Sequence, residues 1–187
     1  EYYDSVVEYL AEIAHVDFIK FDDVLEYHDE IEALAKAIEK VERPIVLSIS
    51  PGQQALPRNW DFLKKYANMW RITDDFWDRW DKLYSMFERC EKWSPYVKEG
   101  CWPDCDMLPL GKISKNCSCL GDRDRYTNFT YDEQKTMLTL WSIFRSPLIL
   151  GGELRENRPE DLQVITNRDI LEINQYSSEN EQIFGKR

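Results

Sequence analysis

The sequence predicts an α/β fold built from parallel β/α units, and two observations support that prediction. Short apolar segments of strand length alternate along the chain with longer segments whose apolar residues recur at helical spacing. Three segments also end in carboxylates, at Val16 to Asp23, Met69 to Asp75 and Trp102 to Met107. Because the functional side chains of (β/α) barrels follow the carboxyl ends of the strands, these acidic segments predict one site assembled from several strand ends.

The beginning of the chain is predicted to contain two helices and two strands. A helical stripe from Tyr2 to Ala14 precedes a strand from Val16 to Phe21. Asp29 is placed to cap a second helix, whose apolar stripe runs from Ile31 to Val41. The apolar run from Ile45 to Leu47 then predicts a short buried strand. This order of elements is that of consecutive β/α units.

The next part of the chain continues the alternation. A loop at Ser50 to Gly52 leads into a helix from Arg58 to Ala67 and a strand from Met69 to Arg71. A strongly amphipathic helix follows, with apolar residues from Phe76 to Phe87. One residue of the pair Asp74-Asp75 is placed to cap that helix.

The C-terminal half departs from the regular alternation. Residues Glu88 to Phe129 form a long segment rich in Cys, Gly and Pro, predicted as a loop around a short strand at Asp106 to Leu110. A capping box at Thr130 to Glu133 predicts the start of another helix. The apolar segment from Pro147 to Leu150 predicts a last strand. The total of five predicted strands falls short of a closed barrel of eight, so the chain is predicted to be the second part of one.

The composition bounds the class of protein. The 187 residues, 43% of them hydrophobic, are enough to bury one sizeable core. The net charge of −11 argues against nucleic acid as a partner, since nucleic-acid binding needs a basic surface. No apolar run reaches the ~18 residues of a membrane span, and no signal peptide opens the chain. Trp70, Trp77 and Trp80 are predicted to lie mostly in the core.

The cysteines and glycosylation sequons bear on location. All five cysteines fall between Cys90 and Cys119, an odd number that leaves at least one outside an internal disulfide. Their spacing lacks the paired Cys or His ligands of a structural zinc site. Sequons begin at Asn116 and Asn128. Together these features predict a secreted, periplasmic or lysosomal glycoprotein with disulfide bonds.

Five segments of the chain carry recognisable motifs. They are, in order, Phe18 to Asp22, Trp70 to Asp75, Gly100 to Leu108, Leu140 to Leu148, and Ile173 to Gln175. In this order they resemble glycoside hydrolase family 27, the α-galactosidase or melibiase family. The first resembles its nucleophile motif, the second its acid/base motif, and the third its Gly-Trp-Asn-Asp-Pro-Asp-Met-Leu segment. The last two resemble its final barrel helix and strand and the exit toward a C-terminal β domain.

The resemblance extends from about Tyr3 to Gln175 and implies a (β/α)8 barrel, of which this chain covers about strands four to eight. It implies that residues 1–172 belong to the catalytic barrel and that 173–187 begin the connection to a β domain. Two departures stand out. Val24 replaces the cysteine that usually follows the nucleophile, and the loop from Ser50 to Gln54 lacks the Cys-Glu-Trp or Cys-Ser-Trp of characterised members. That loop lies near the C2 substituent of the sugar in the family, so the sugar is left open.

The resemblance implies a retaining mechanism, which needs two carboxyl groups about 5–5.5 Å apart. Asp22 is predicted to be the nucleophile, kept ionised by Lys20, and Asp75 the acid/base. No cofactor or metal is predicted, and the partner is a carbohydrate, with an oligomer possible. The residues predicted to bind or enclose the sugar are Lys20, Arg71, Asp106, Trp102, Met107 and Ser50.

Other functions remain open at this stage. The predicted substrate is a terminal α-linked galactose, and the same mechanism also fits an α-N-acetylgalactosaminidase or a β-L-arabinopyranosidase. The Lys-Phe-Asp triplet at Lys20 to Asp22 is also compatible with a surface salt bridge. The chain as a whole is also compatible with a non-catalytic carbohydrate-binding or assembly module. A two-metal phosphoryl-transfer site is a further alternative, but the chain has only His15 and His28 and no phosphate-binding glycine loop. The 187 residues expressed alone are expected to be inactive and to associate through an open sheet edge.

Overall fold

The computed structural model of the protein describes residues 1–22, 27–114 and 124–184. The chain divides into two compact units, each made of two segments. The first unit consists of Glu1–Asp74 and Lys98–Asp104, and the second of Asp75–Val97 and Cys105–Arg187. The first unit contains a parallel β-sheet with helices, and the second contains helices and a short antiparallel pair of strands.

Four parallel strands form the sheet of the first unit, in the order β1-β2-β3-β4. Neighbours in sequence are therefore neighbours in the sheet, which confirms the predicted parallel β/α arrangement. Along the sheet, Asp22 lies beside Ser50 in register, and Arg71 lies beside Asp104. The strands are β1 (Phe18–Asp22), β2 (Val46–Ser50), β3 (Met69–Arg71) and β4 (Trp102–Asp104).

The helices of the first unit pack apolar faces whose spacing the sequence predicted. Val7 of α1, Ile31 of α2 and Leu63 of α3 are fully buried. The central strands β2 and β3 are almost entirely buried, as expected for parallel strands covered on both faces, whereas β1 alternates between exposed and half-buried residues. These helices are α1 (Tyr2–Glu8), with a π-helical continuation (Tyr9–Ile13), α2 (His28–Ile38) and α3 (Trp60–Tyr66).

The second unit is built mainly from helices around an aromatic core. Trp141 of α5 is fully buried, and its ring meets that of Phe76 edge-on at 4.9 Å. The predicted capping box is confirmed, because the Glu133 amide donates to the Thr130 hydroxyl and the Thr130 amide donates to the Glu133 carboxylate. The elements are α4 (Trp80–Trp93), β5 (Lys112–Ser114), β6 (Arg125–Tyr126), α5 (Tyr131–Phe144), α6 (Pro159–Ile165) and α7 (Arg168–Tyr176).

Two predicted helix caps are wrong. Helix α2 already begins at His28, so Asp29 lies inside its first turn and does not cap it. Helix α4 begins at Trp80 rather than near Phe76, so the pair Asp74-Asp75 does not cap it. In the non-helical segment before α4, the Phe76 amide donates to the Asp106 carboxylate. Trp80, predicted to lie mostly in the core, is 47% exposed.

Two predicted strands are also wrong. The strand assigned to Asp106 to Leu110 lies earlier, as β4, and Asp106 itself has a φ of 72°, outside the β region of backbone conformation. Pro147 to Leu150 forms no strand, and only Leu150 makes a single parallel bridge, with Leu108. Within the described residues the parallel sheet thus has four strands instead of the predicted five.

The C-terminal part of the described chain contains helix α7. This helix runs from Arg168 to Tyr176 and includes residue 172, and the domain boundary there stays a prediction. Asn174 donates its side-chain amide to the Ser146 carbonyl, which ties the helix to the end of α5. None of the helices in the described ranges combines the length and the apolar character needed to cross a membrane.

A buried ion pair fixes the start of α6. Asp161 is fully buried and accepts hydrogen bonds from Arg158 Nε and Nη2, both at 2.9 Å, and from the Arg158 amide at 3.1 Å. Burial raises the pKa of Asp161, but the bonds and charge of Arg158 outweigh it, so the pKa lies below its ordinary value. The charged carboxylate therefore stabilises the folded state more than its protonated form does.

Replacing Asp161 by Asn is expected to lower the free energy of unfolding at neutral pH by about 1–3 kcal/mol, because the charged acceptor is lost. The folded pKa lies below the unfolded value of about 3.9, so this stabilisation is present above that value and is lost as pH falls through the folded pKa. Urea unfolding of wild type and variant should therefore differ more at about pH 7 than at about pH 3.

The control for this measurement is Asp132→Asn. Asp132 pairs with Lys135 at 2.7 Å, but its side chain is 87% exposed, so its loss should change stability by less than about 0.5 kcal/mol. An Asp161→Asn variant whose destabilisation is the same at both pH values would contradict the assignment.

Candidate active site

The four parallel strands of the first unit each end in a polar residue. These residues are Asp22, Ser50, Arg71 and Asp104, in the order of the strands across the sheet. A parallel sheet brings its carboxyl ends to one edge, so the four side chains belong to the same edge. Such an edge of polar strand ends is typical of enzymes built on parallel β/α units.

Asp22 and Asp104 are the two carboxylates of this edge, and only Asp22 is exposed. Lys20 Nζ lies 3.5 Å from Asp22 Oδ1, which confirms that the two side chains share one side of β1. Burial raises the pKa of Asp22, but a hydrogen bond from Ser50 and the charges of Lys20 and Arg71 outweigh it. The pKa of Asp22 therefore lies below its ordinary value, and the side chain, 61% exposed, is ionised and accessible at neutral pH.

Arg71 supplies the buried cation of the edge. The residue is only 7% exposed, and its Nε donates to the Thr73 carbonyl at 3.2 Å. It also stands beside Asp104 across β3 and β4. A guanidinium held in this way presents fixed donors, which suits the hydroxyl groups of a sugar.

The loop after β2 is tied to the segment after β3. The Gln53 amide donates to Asp74 Oδ1 at 2.9 Å, and the Gln53 side-chain amide donates to Asp74 Oδ2. Gly52 has a φ of +62°, and a Cβ there would lie 2.6 Å from Asp74 Oδ1. Glycine is therefore required at position 52 for both the turn and the close approach. Asp74, expected as a possible helix cap, instead fixes this loop.

The second unit holds Asp75 and Asp106. Asp106 has a left-handed backbone, with φ 72°, and accepts a hydrogen bond on Oδ2 from the Phe76 amide at 2.7 Å. Its carbonyl accepts from Trp141 Nε1 at 3.0 Å. An Asp in this backbone region is uncommon and is held there by its surroundings, as is frequent at functional sites. Asp75 is exposed and directly precedes the anchored Phe76.

The structure distributes the predicted site residues as follows. Lys20, Asp22, Ser50 and Arg71 lie on or at the carboxyl edge of the sheet in the first unit. Asp75, Asp106 and Met107 belong to the second unit, where Met107 packs against Gly151 so closely that a Cβ at position 151 would lie 2.4 Å from its sulfur. Trp102 begins β4 and therefore lies at the opposite end of that strand from Asp104, away from the polar edge.

Sequence reasoning did not select Asp104 or Gln53 as site residues. Asp104 is 4% exposed and closes the polar edge as the last residue of β4. It was missed because the strand was placed four residues too late; the alternation of Trp102 and Asp104 around Pro103 was the available signal. Gln53 carries no local signal, because its partner Asp74 is 21 residues away.

The cysteines and acidic residues do not form a metal centre in the part of the chain that the structure describes, where no group of three or more potential ligands occurs. Cys90 Sγ lies 3.6 Å from Cys105 Sγ, beyond the about 2.05 Å of a disulfide bond. The predicted disulfides and the sequon at Asn116 stay predictions, because Cys117, Cys119 and Asn116 lie outside the described residues, as does Val24.

Comparisons with known proteins identify the family. A family model described as alpha galactosidase A matches residues 1–176. The chain therefore belongs to this family, glycoside hydrolase family 27, and the resemblance found in its motifs is confirmed. The crystal structure of a GH27 β-L-arabinopyranosidase from Geobacillus stearothermophilus is similar, with 50% sequence identity and a TM-score of 0.86. That match covers 92% of this chain and 41% of the other.

Two further relatives come from animals. The α-N-acetylgalactosaminidase of Gallus gallus is 30% identical over 172 residues, which cover 86% of this chain and 39% of the relative. The α-galactosidase A of Homo sapiens is 27% identical over 192 residues, which cover 93% of this chain and 40% of the relative. The chain thus spans about two fifths of the length of the relatives it matches.

Proposed function

We propose that the protein to which this chain belongs is a retaining glycoside hydrolase that releases terminal α-linked galactose from oligosaccharides or glycoconjugates. The observation that carries the proposal is the ionised, accessible carboxylate of Asp22 at a strand end, beside Lys20 and Arg71. A nucleophile must be charged and reachable, and Asp22 meets both conditions. Family membership and three relatives that are all named as glycosidases support the same class of reaction.

The proposed reaction proceeds in two displacements. In the first, Asp22 attacks the anomeric carbon, the glycosidic C–O bond breaks, and the leaving oxygen takes a proton from the Asp75 carboxyl group. In the second, the Asp75 carboxylate removes a proton from water, and the water oxygen displaces Asp22 from the anomeric carbon. The sugar leaves with its original anomeric configuration, and both carboxyl groups return to their starting states.

We propose that the remaining predicted residues bind the sugar. Lys20 and Arg71 can donate hydrogen bonds to its hydroxyl groups, and Asp106 can accept them. The Ser50 hydroxyl, hydrogen-bonded to Asp22, lies where the loop near the sugar's C2 position begins. Met107 is assigned to the apolar wall. Trp102 has the weakest support, because it lies at the other end of β4.

We propose that the four-stranded sheet is part of a (β/α)8 barrel, of which the whole chain covers about strands four to eight, as the family resemblance implies. The chain would then supply both catalytic carboxylates but only part of the barrel wall. An open edge at β1 would be covered in the complete barrel. The oligomeric state and the secreted, periplasmic or lysosomal location stay predictions.

Each of the two alternative sugars differs from galactose by a single substituent of the ring. β-L-Arabinopyranose has the ring configuration of α-D-galactopyranose without the hydroxymethyl group, and N-acetylgalactosamine carries an acetamido group at C2. The relative at 50% identity is named as a β-L-arabinopyranosidase, which supports that sugar as the leading alternative. The loop at Gly52 and Gln53 is held by hydrogen bonds to Asp74. We propose that this loop lies near the C2 substituent of the sugar and distinguishes between the candidate sugars there.

The experiment is a comparison of the p-nitrophenyl glycosides of the three sugars with the complete natural polypeptide. We expect the highest kcat/KM with the α-galactoside and measurable turnover of the β-L-arabinopyranoside. Early ¹H NMR spectra of the released sugar should show the anomer of the substrate. Hydrolysis of none of the three glycosides would refute the proposal, and release of the opposite anomer would refute the nucleophilic role of Asp22.

A further inference from the structure

The segment that follows Asp75 is fixed by a buried ion pair. Asp78 is 4% exposed, and its carboxylate accepts hydrogen bonds from Arg125 Nη1 at 2.6 Å and Nη2 at 3.2 Å. It also accepts one from the Asn128 amide at 2.6 Å. Three donors on one buried carboxylate, two of them from a guanidinium fork, make a strong and directional anchor. Burial raises the pKa of Asp78, but these donors outweigh it, so the pKa is lowered and the pair stays charged.

The same segment is anchored a second time, two residues earlier. The Phe76 amide donates to Asp106 Oδ2 at 2.7 Å, and the Phe76 ring, 1% exposed, packs on Trp141. The backbone from Phe76 to Asp78 is therefore held at both ends, between Asp106 on one side and Arg125 on the other. Asp75 is covalently joined to Phe76, the second anchor, and lies three residues from Asp78, the first anchor.

We infer that Asp78 and Arg125 form a positioning pair that holds the Asp75 carboxyl group in the orientation required for proton transfer. The inference rests on the proposed function, in which Asp75 is the acid/base. Neither member of the pair is assigned to touch the sugar, and the pair acts through the backbone that carries Asp75. A general acid must keep its proton within hydrogen-bond reach of the leaving oxygen, and a displacement of about 1 Å can lower a rate about 100-fold.

Loss of one member would release the segment. Without the Asp78 carboxylate, the Arg125 side chain, 26% exposed, keeps a partly buried charge that no longer has this partner, and the Asn128 amide loses its acceptor. The second anchor at Phe76 would then carry the segment alone. We therefore expect the motion of Asp75 to increase while the sheet residues around Asp22, in the other unit, are unaffected.

The test uses Asp78→Asn, Arg125→Met, Arg125→Lys and the double variant Asp78→Asn/Arg125→Met in the complete natural polypeptide. The matched control is Asp81→Asn. Asp81 is also held by two guanidinium bonds, from Arg79 at 3.0 and 2.8 Å, but that pair is exposed, with side chains 60% and 65% accessible. Rates are measured on two aryl galactosides, one with phenol and one with 2,4-dinitrophenol as leaving group. Amide hydrogen exchange is measured for residues 75–79 and for Asn128.

With the phenyl galactoside, Asp78→Asn is expected to lower kcat about 100-fold, with KM changed by less than about twofold. With the dinitrophenyl galactoside, whose leaving group needs no proton, formation of the glycosyl-enzyme should slow by less than about threefold. The kcat of the double variant on the phenyl galactoside should lie within about threefold of that of either single variant, because the two residues act as a unit. Arg125→Lys should recover part of the loss seen in Arg125→Met, and amide exchange should quicken in the Asp78 and Arg125 variants but not in Asp81→Asn.

Three outcomes would overturn the inference. The first is an Asp78→Asn variant with wild-type rates on both substrates. The second is an equal loss on both substrates, which would indicate general damage, and the third is an equal loss in Asp81→Asn. If Asp78→Asn does not fold, Arg125→Lys provides the same comparison with the positive charge retained. A wild-type protein that hydrolyses no galactoside would instead refute the proposed function, and this inference with it, so the two failures are distinguishable.

Discussion

Replacing Asp22 by Asn is expected to lower kcat on α-galactosides by at least about 10⁴-fold, as when other hydrolases lose their nucleophile. The amide keeps the shape of the side chain but cannot form the glycosyl-enzyme. The loss should be large for good and poor leaving groups alike, because attack by Asp22 and departure of either leaving group belong to the same displacement. Initial rates on the phenyl and dinitrophenyl galactosides would measure it.

Rescue chemistry can assign the role of Asp22 directly. In an Asp22→Gly variant, azide should enter the space of the missing carboxylate and give a galactosyl azide of inverted configuration. The control is Asp17→Asn, just before the same strand, whose side chain is 76% exposed and pairs with Arg43 at 2.6 Å. An Asp22→Asn variant within about tenfold of wild type, or no rescue by azide, would refute the assignment.

Replacing Asp75 by Ala is expected to give a loss that depends on the leaving group. Rates on the phenyl galactoside should fall about 10²–10⁴-fold, the usual contribution of a general acid. With the dinitrophenyl galactoside the first displacement should remain fast, and the glycosyl-enzyme should accumulate because no base activates water. A burst of dinitrophenol equal to the enzyme concentration, followed by slow turnover, would be the measurement.

Added azide separates the two roles of Asp75. Azide needs no general base, so it should release the trapped sugar as an azide of retained configuration and speed turnover of the variant. Asp61→Asn serves as the control. The Asp61 side chain is 88% exposed and forms a 2.8 Å ion pair with Lys64 on the surface of a helix. A loss that is the same for both leaving groups would contradict the acid/base assignment.

The sequence predicted the fold best where periodicity and chemistry pointed to the same element. The strand Met69 to Arg71 and the capping box at Thr130 were both found as predicted. Strand β4 was hidden by Pro103 at its centre, because proline is rare within strands and is confined mainly to edges. In the described sheet β4 is indeed an edge strand. The apolar residues after Asp106 resembled a strand but follow a left-handed residue.

The site was predictable to the extent that its residues fall within short motifs. Lys20 and Asp22 share one strand, so their proximity follows from the period of two. Asp78 and Arg125 are 47 residues apart, and their pairing depends on how α4, α5 and the strands β5 and β6 pack. A local pattern contains no information on such a contact. For the same reason the sequence did not predict the bond between Asp74 and Gln53, 21 residues away, and assigned one residue of the pair Asp74-Asp75 to a helix cap.

The bond between Gln53 and Asp74 has a consequence for how new substrate preferences could evolve in this chain. The loop proposed to lie near the C2 substituent of the sugar is hydrogen-bonded to Asp74, which immediately precedes the proposed acid/base, Asp75. A substitution at Gly52 or Gln53 would therefore disturb the backbone beside the proton donor as well as the sugar contacts. Substitutions in the loop and at Asp74 should combine non-additively, so a change of sugar specificity would require compensating changes at both places.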